Sequence, residues 1–236
     1  MKIKENCIGC GLCVPYCPVE AIEIKEKKAA VDLEECVECG VCLRANVCPV
    51  DAIYQQELEW PRVLRSQFSD PMAEHPLTGV RGRGTAEMKT NDVTGRFKVG
   101  YAGIGLEIGR PGIGTKLREV ERIYKELLKM GVIFEKDNPV RGLVDENDPG
   151  IFKQDVLEEK VLSAIHEFLV PSEEVESILP KLKELCDSSN TVITACIVDK
   201  VTPDGRTPNR EAAEKAGFWT SVNAKVNAGL GKPRAE

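Results

Sequence analysis

Eight of the chain's ten cysteines lie in its first 48 residues, in two runs of nearly the same shape. The first is Cys7-x2-Cys10-x2-Cys13-x3-Cys17-Pro18, and the second is Cys36-x2-Cys39-x2-Cys42-x5-Cys48-Pro49. Three thiolates at x2 spacing can curl around one face of a small inorganic cube, and a fourth, more distant thiolate closes the opposite corner. Such ligands must stay reduced, which argues against a disulfide knot and for a cytoplasmic location. The start, Met1-Lys2-Ile3-Lys4-Glu5, runs straight into the first motif without an apolar signal segment. No apolar stretch approaches the roughly 20 residues that span a bilayer.

The two halves of residues 1–56 repeat each other beyond the cysteines. Cys17-Pro-Val-Glu-Ala-Ile22 matches Cys48-Pro-Val-Asp-Ala-Ile53, and Gly11 matches Gly40. This part resembles the bacterial-type ferredoxins with two 4Fe–4S clusters. The resemblance implies crossed ligation: Cys7, Cys10, Cys13 and Cys48 on one cluster, Cys17, Cys36, Cys39 and Cys42 on the other. It also implies that the clusters lie close enough for an electron to hop between them. Gly9, Gly11 and Gly40 would let backbone amides approach the sulfurs, and Pro18 and Pro49 would fix the turn after each fourth thiolate. Ile8, Leu12, Ile22, Val37, Val41 and Ile53 can wall the clusters from water. The second run departs from the simple pattern, with five residues (Leu43 to Val47) where three are usual. Zinc prefers paired C-x2-C knuckles, so the triple runs favour iron–sulfur ligation. No motif position is Asp, so a three-iron cluster is not suggested.

The cysteine motifs occupy only about a quarter of the 236 residues, so a second unit must follow. Residues 1–60 carry six Lys/Arg against eleven Asp/Glu, which leaves −5 of the chain's −6 in that part. An acidic carrier is steered toward basic patches on redox partners and repelled by nucleic acid. The expected division is a two-cluster module over 1–58, an extended connector over 59–96, a second domain over 97–201 and a tail over 202–236.

From Trp60 to about Arg96 the periodicity disappears under Pro61, Pro71, Pro76, Gly79, Gly82, Gly84 and Gly95, which predicts a loop. It is basic, with Arg62, Arg65, Arg81, Arg83, Lys89 and Arg96 against four acidic residues. The stretch from Arg83 to Arg96, Arg-Gly-Thr-Ala-Glu-Met-Lys-Thr-Asn-Asp-Val-Thr-Gly-Arg, resembles a segment of ferredoxin-bearing reductases, the 6-hydroxynicotinate reductases among them. As a plain linker it would lie over the second domain or on a partner subunit.

The second domain reads as an α+β unit. A strand is expected over Phe97–Ile108, then a helix over Lys116–Met130 capped by Thr115, with Leu117, Val120, Ile123, Tyr124, Leu127 and Leu128 as its apolar stripe. Strands follow near Val132–Glu135, with Val140–Val144 as an extension, and over Val161–Val170. A second helix starts at Ser172, and Pro180 should kink or divide it. Thr191–Val198 is apolar enough for a sheet interior. The order β-α-β-β-α-β predicts a split-βαβ, ferredoxin-like sandwich, with residues 145–158 as an acidic insertion.

The glycine-rich segment 103–115 leads into the first of these helices. Gly109, Arg110, Gly112, Gly114, Thr115 and Lys116 can cradle an anion there, such as a flavin, nucleotide or coenzyme-A-like phosphate. The alternative is a tight strand-to-helix turn. Cys186 and Cys196 lack partners at ligand spacing and read as buried thiols. His166 reads as a core histidine, and His75 lies in the connector. The tail holds a short helix, Arg210–Ala216, followed by Phe218 and Trp219, which can anchor to this chain or to a subunit.

Three functions fit. The first is an electron-transfer subunit of a larger cytoplasmic oxidoreductase, with no membrane span and no nucleic acid partner, assembling with itself or with a catalytic subunit; the residues name no catalytic group of its own. The second is a reductase whose second domain binds a flavin or nucleotide. The third is a ferredoxin fused to a small-molecule sensing or sulfur-metabolism module.

Overall fold

The computed structural model describes residues 1–82, 99–110, 112–198 and 201–222. The segment singled out over 83–96 lies outside them.

The N-terminal unit is a compact pair of half-repeats. Strand β1 (Lys2–Ile3) pairs with β4 (Ile53–Tyr54), and β2 (Ile22–Lys25) forms a hairpin with β3 (Lys28–Val31), both antiparallel. The hairpin turn is Glu26-Lys27, with φ of 48° and 64°. That geometry normally selects Asn-Gly, and the sequence carries no such turn signal. Between β3 and β4 lies the one-turn helix α1 (Val41–Arg44). The core of this unit is small: Met1, Ala21, Ile22, Ala29 and Ile53, together with three of the cysteines.

The connector is not a featureless loop. Residues 63–69 form helix α2 (Val63–Ser69), whose Leu64 and Phe68 are buried in the core of the second unit. Pro61 and Pro71 leave room for fewer than three turns between them, too few for a helical period to stand out in sequence. The two apolar residues four apart place one face of this short helix on a core that lies elsewhere in the chain.

The second unit is built on strand β5 (Tyr101–Ile108). Next come β6 (Thr115–Lys116), α3 (Leu117–Lys129), β7 (Ile133–Phe134), β8 (Lys160–Val161), β9 (Ala164–Pro171), α4 (Val175–Asp187), β10 (Ile193–Ile197) and α5 (Pro208–Lys215). The four-stranded sheet runs β10-β5-β9-β7 with every pair antiparallel. Leu106 stands opposite both His166 and Ala195, and Ile104 opposite Phe168. Alternation along β5 sends Ile104, Leu106 and Ile108 into one core with the apolar stripes of α3 and α4.

Several local expectations change. Lys116, not Thr115, is the N-cap of α3, and its side chain makes no capping bond. Val140–Val144 does not extend a strand, since Pro139–Leu143 is a 3-10 turn opened by Asn138, whose side chain accepts from Val140 N at 2.9 Å. The strand expected over Val161–Val170 is broken into β8 and β9, which belong to different sheets. Helix α4 continues through Pro180, preceded by a 3-10 turn at Ser172–Glu174. Strand β10 is an edge strand with half-open residues rather than an interior one.

Candidate metal centre

The fold gathers the eight motif cysteines into two groups of four. Cys7, Cys10, Cys13 and Cys48 line one hollow of about 330 Å3, counting space open to solvent. Cys17, Cys36, Cys39 and Cys42 line a second of about 310 Å3. Each group takes three thiols from one run and the fourth from the other. No three His, Cys, Asp or Glu side chains among the described residues converge on a single-ion site, and all ten cysteines are free thiols. The thiols surround space rather than a point.

Backbone amides are aimed at the sulfurs. Ala21 N donates to Cys17 Sγ at 3.1 Å and Ala52 N to Cys48 Sγ at 3.2 Å. These are equivalent positions of the repeated Cys-Pro-Val-acid-Ala segments, so the sequence repeat reproduces one local turn twice. Ala29 N reaches Cys7 Sγ at 3.4 Å and Gly9 N at 3.5 Å. Gly9 has φ of +68°, and a Cβ there would sit 2.1 Å from Lys27 O, so only glycine fits between the first hollow and the hairpin turn. The donors from Ala52, Val50 and Ile53 hold the Cys48 thiol below its ordinary range. Burial pushes Cys42 up to about 11, with Cys39, Cys36 and Cys17 adding repulsion, and burial likewise raises Cys13, with Cys7, Cys10 and Cys48 contributing. Clustered thiols that repel one another as anions, served by amide donors, fit a cationic iron–sulfur core.

The two hollows differ in surroundings. Around the first, Ile8 and Leu12 are 60% and 50% exposed and Cys10 is exposed. They form an apolar rim rather than the closed wall expected of them. Around the second, Cys36, Cys39, Cys42, Val37 and Ile22 are buried. The longer loop after Cys42 carries Arg44, which donates to Cys39 O at 2.5 Å and pairs with Asp70 at the end of α2 at 2.9 Å. Glu38, fully buried, accepts from the Met1 amine, from Gln55 and from both Nε and Nη2 of Arg62. Burial alone would raise its pKa, but the bonds from the amine and Arg62 outweigh it and hold it below the usual carboxylate range.

The sequence marks Arg65 only as one of the connector's basic residues, and the structure seats it, buried, on α2. Its side chain is 3% exposed, and Nη1 donates to Leu33 O at 2.9 Å, Glu34 O at 2.8 Å and Cys36 O at 2.9 Å. Its Nε pairs with Glu159 in the second unit. Nearby, Lys160 pairs with Glu35, and Leu162 N donates to Ser69 Oγ at 2.8 Å. The only signal available was the spacing of Leu64 and Phe68, which places Arg65 between two core contacts.

In the glycine-rich segment, several of the groups expected to hold an anion are engaged within the protein. Gly114 N donates to Gly109 O at 3.0 Å, Arg110 pairs with Glu107 at 3.4 Å, and Lys116 pairs with Glu158 at 3.1 Å. The first amides of α3 point into protein: Leu117 N to Glu159 O at 3.0 Å and Arg118 N to Leu157 O at 2.9 Å. Thr115 Oγ1 donates to Lys116 O at 3.2 Å. Gly112 has φ of +71° and open space around it. A Cβ on Gly114 would lie 2.9 Å from Val161 O and 3.7 Å from Val19 Cγ1, so this turn packs against the N-terminal unit beside Cys17-Pro18. These contacts make the turn a tight joint between strand, helix and the N-terminal unit, with the amides of Gly114, Leu117 and Arg118 bonded within the protein.

The remaining candidates behave as packing groups. His166 is fully buried, with Nε2 2.9 Å from Val120 O and the ring stacked on Tyr124. His75 lies edge-on to Phe68. Burial pushes the Cys186 thiol up to about 11, and Cys196 Sγ lies 3.9 Å from Glu107. In the tail, Phe218 packs against the core while Trp219 is 85% exposed. No helix among the described residues is long and apolar enough to cross a membrane.

Comparison with known proteins agrees with this geometry. A family model described as a 4Fe-4S dicluster domain matches residues 6–52. The chain is 41% identical over 68 residues to a "Ferredoxin 7Fe" of Hydrogenibacillus schlegelii, a match covering 27% of this chain and 85% of that protein. It is 40% identical over 50 residues to the pyruvate synthase subunit PorD of Methanothermobacter marburgensis, covering 21% and 56%. Over 50 residues it is also 45% identical to one subunit of an ion-translocating oxidoreductase complex of Methanosarcina acetivorans, covering 21% of this chain but only 18% of that protein.

Proposed function

Since the chain belongs to the 4Fe-4S dicluster ferredoxin family, an iron–sulfur electron-transfer family, we propose that it is the ferredoxin-type subunit of a larger cytoplasmic oxidoreductase, relaying single electrons through two 4Fe–4S clusters. The observation that carries this is the sorting of the cysteines into two hollows of four, each drawing on both runs. It supports ligation by Cys7, Cys10, Cys13 and Cys48 at one cluster and by Cys17, Cys36, Cys39 and Cys42 at the other. A bound cluster of this kind takes up and releases one electron at a time. The protein supplies the rest: thiols for ligation, amides of Ala21, Ala29 and Ala52 directed at sulfur, and a rim of Ile8 and Leu12 that a partner can cover.

Two of the similar proteins are named as subunits of pyruvate synthase and of an ion-translocating complex, which favours work within an assembly. The succession β5-α3-β7-β9-α4-β10 with sheet order β10-β5-β9-β7 supports reading the second unit as the βαββαβ sandwich, here a docking platform. Anaerobic purification tests the whole reading. Iron and acid-labile sulfide of about eight each per chain are expected, with reducible clusters and a co-purifying partner. A preparation that holds only zinc and keeps its activity would overturn the cluster assignment; bound flavin or turnover by the isolated chain would overturn the subunit role.

A further inference from the structure

We propose that Arg65 is a positioning residue of the inner cluster site, and that the Arg65–Glu159 pair makes the reduction potential there depend on the second unit. The proposal rests on the reading of the second hollow as a cluster site. Arg65 stands on α2, which is anchored by Leu64 and Phe68 in the core of the second unit and by the bond from Leu162 N to Ser69 Oγ. Mechanically it therefore belongs to that unit. Its donors go the other way, to the carbonyls of Leu33, Glu34 and Cys36, all from one Nη1 and all within 2.9 Å. The segment so gripped ends on Cys36, a wall of the second hollow.

A guanidinium stays charged at any accessible pH. At 3% exposure it is little screened by solvent. A permanent positive charge bonded to the carbonyl of a ligand residue stabilises an added electron, and Glu159, 13% exposed and paired with it, opposes that effect. The pair thus acts on the inner site with two opposed charges, one on α2 and one beside β8. The first hollow faces outward under Ile8 and Leu12 instead. The two sites should therefore respond to different substitutions.

Redox titration of the full-length, cluster-loaded protein, followed by electron paramagnetic resonance, tests this. Arg65→Met is expected to lower one of the two potentials, changing the reduced-to-oxidised ratio at fixed ambient potential about tenfold, or ~59 mV for one electron. Glu159→Gln should raise the same potential. Arg65→Lys keeps the charge but not the grip on three carbonyls, and should recover part of the loss. Ile8→Lys, on the rim of the first hollow, should move the other potential. If Arg65→Met fails to hold iron, Glu159→Gln and Arg65→Lys decide. Normal iron content with both potentials unmoved, or with both moved equally, overturns the proposal while leaving the cluster assignment standing. A wild-type chain that holds no iron and sulfide overturns the assignment itself, and the proposal with it.

Discussion

Individual side chains in this molecule are committed by what surrounds them, and His166 illustrates it. Its position in an alternating apolar strand marks it as a core residue, and the structure encloses it between Tyr124 and Phe134 with Nε2 donating to Val120 O. Burial pushes its pKa down to about 4. The unfolded chain binds a proton near pH 6.5, and the folded one resists it until about pH 4. Stability is therefore fully present above pH 6.5 and falls by about 3 kcal/mol as the pH drops through that window. His166→Gln, which can keep a donor to Val120 O without titrating, is expected to flatten that part of the pH profile in urea unfolding. An unchanged slope would mean that the imidazole is protonated in the folded state. Lys116 and Arg110 show the opposite case. As letters they suggested an anion cradle, but each faces an acidic neighbour of its own, Glu158 and Glu107.

Among the elements, α2 ties the two units together most directly. Two of its residues complete the core of the second unit while two arginines of the same short stretch, Arg62 and Arg65, grip the N-terminal unit. Phe68 is 2% exposed, and Phe68→Ala is expected to cost about 3–5 kcal/mol. Urea denaturation followed by circular dichroism would measure it, and a loss within about 0.5 kcal/mol, the range of surface sites, would show that α2 is not part of that core. The long helices α3 and α4 were legible because an apolar stripe at helical spacing is a local property of 13 residues. Strand β10 was legible as a strand but not as an edge. Which strand lies outermost depends on the order of pairing, and no single segment carries that order.

At the scale of the whole chain, the two units are unequal in what holds them. The N-terminal core includes Cys13, Cys36 and Cys42 among its few buried residues, whereas the second unit has a continuous core drawn from α2, α3, α4 and the sheet. Units too small to bury enough apolar surface depend on metal for folding. Removing iron and sulfide by chelation is therefore expected to unfold residues 1–58 while most of the helical circular dichroism, from α3, α4 and α5, persists. A single cooperative loss of all structure would instead show that the Arg65 joint makes the two units one folding entity.

The spacing of the cysteines and the repetition of Cys-Pro-Val-acid-Ala marked the two runs as iron–sulfur motifs, because a triple C-x2-C run and the turn after it are local patterns of a few residues. The stripes of α3 and α4 were readable for the same reason. The inner and outer character of the two hollows and the joint at Arg65 and Glu159 were not. Each joins residues tens of positions apart, 94 in the case of Arg65 and Glu159. Burial, charge pairing and the direction of an amide at that separation arise only when the units pack. The two cysteine runs are thus written in the chain, and the difference between their surroundings is made by the fold.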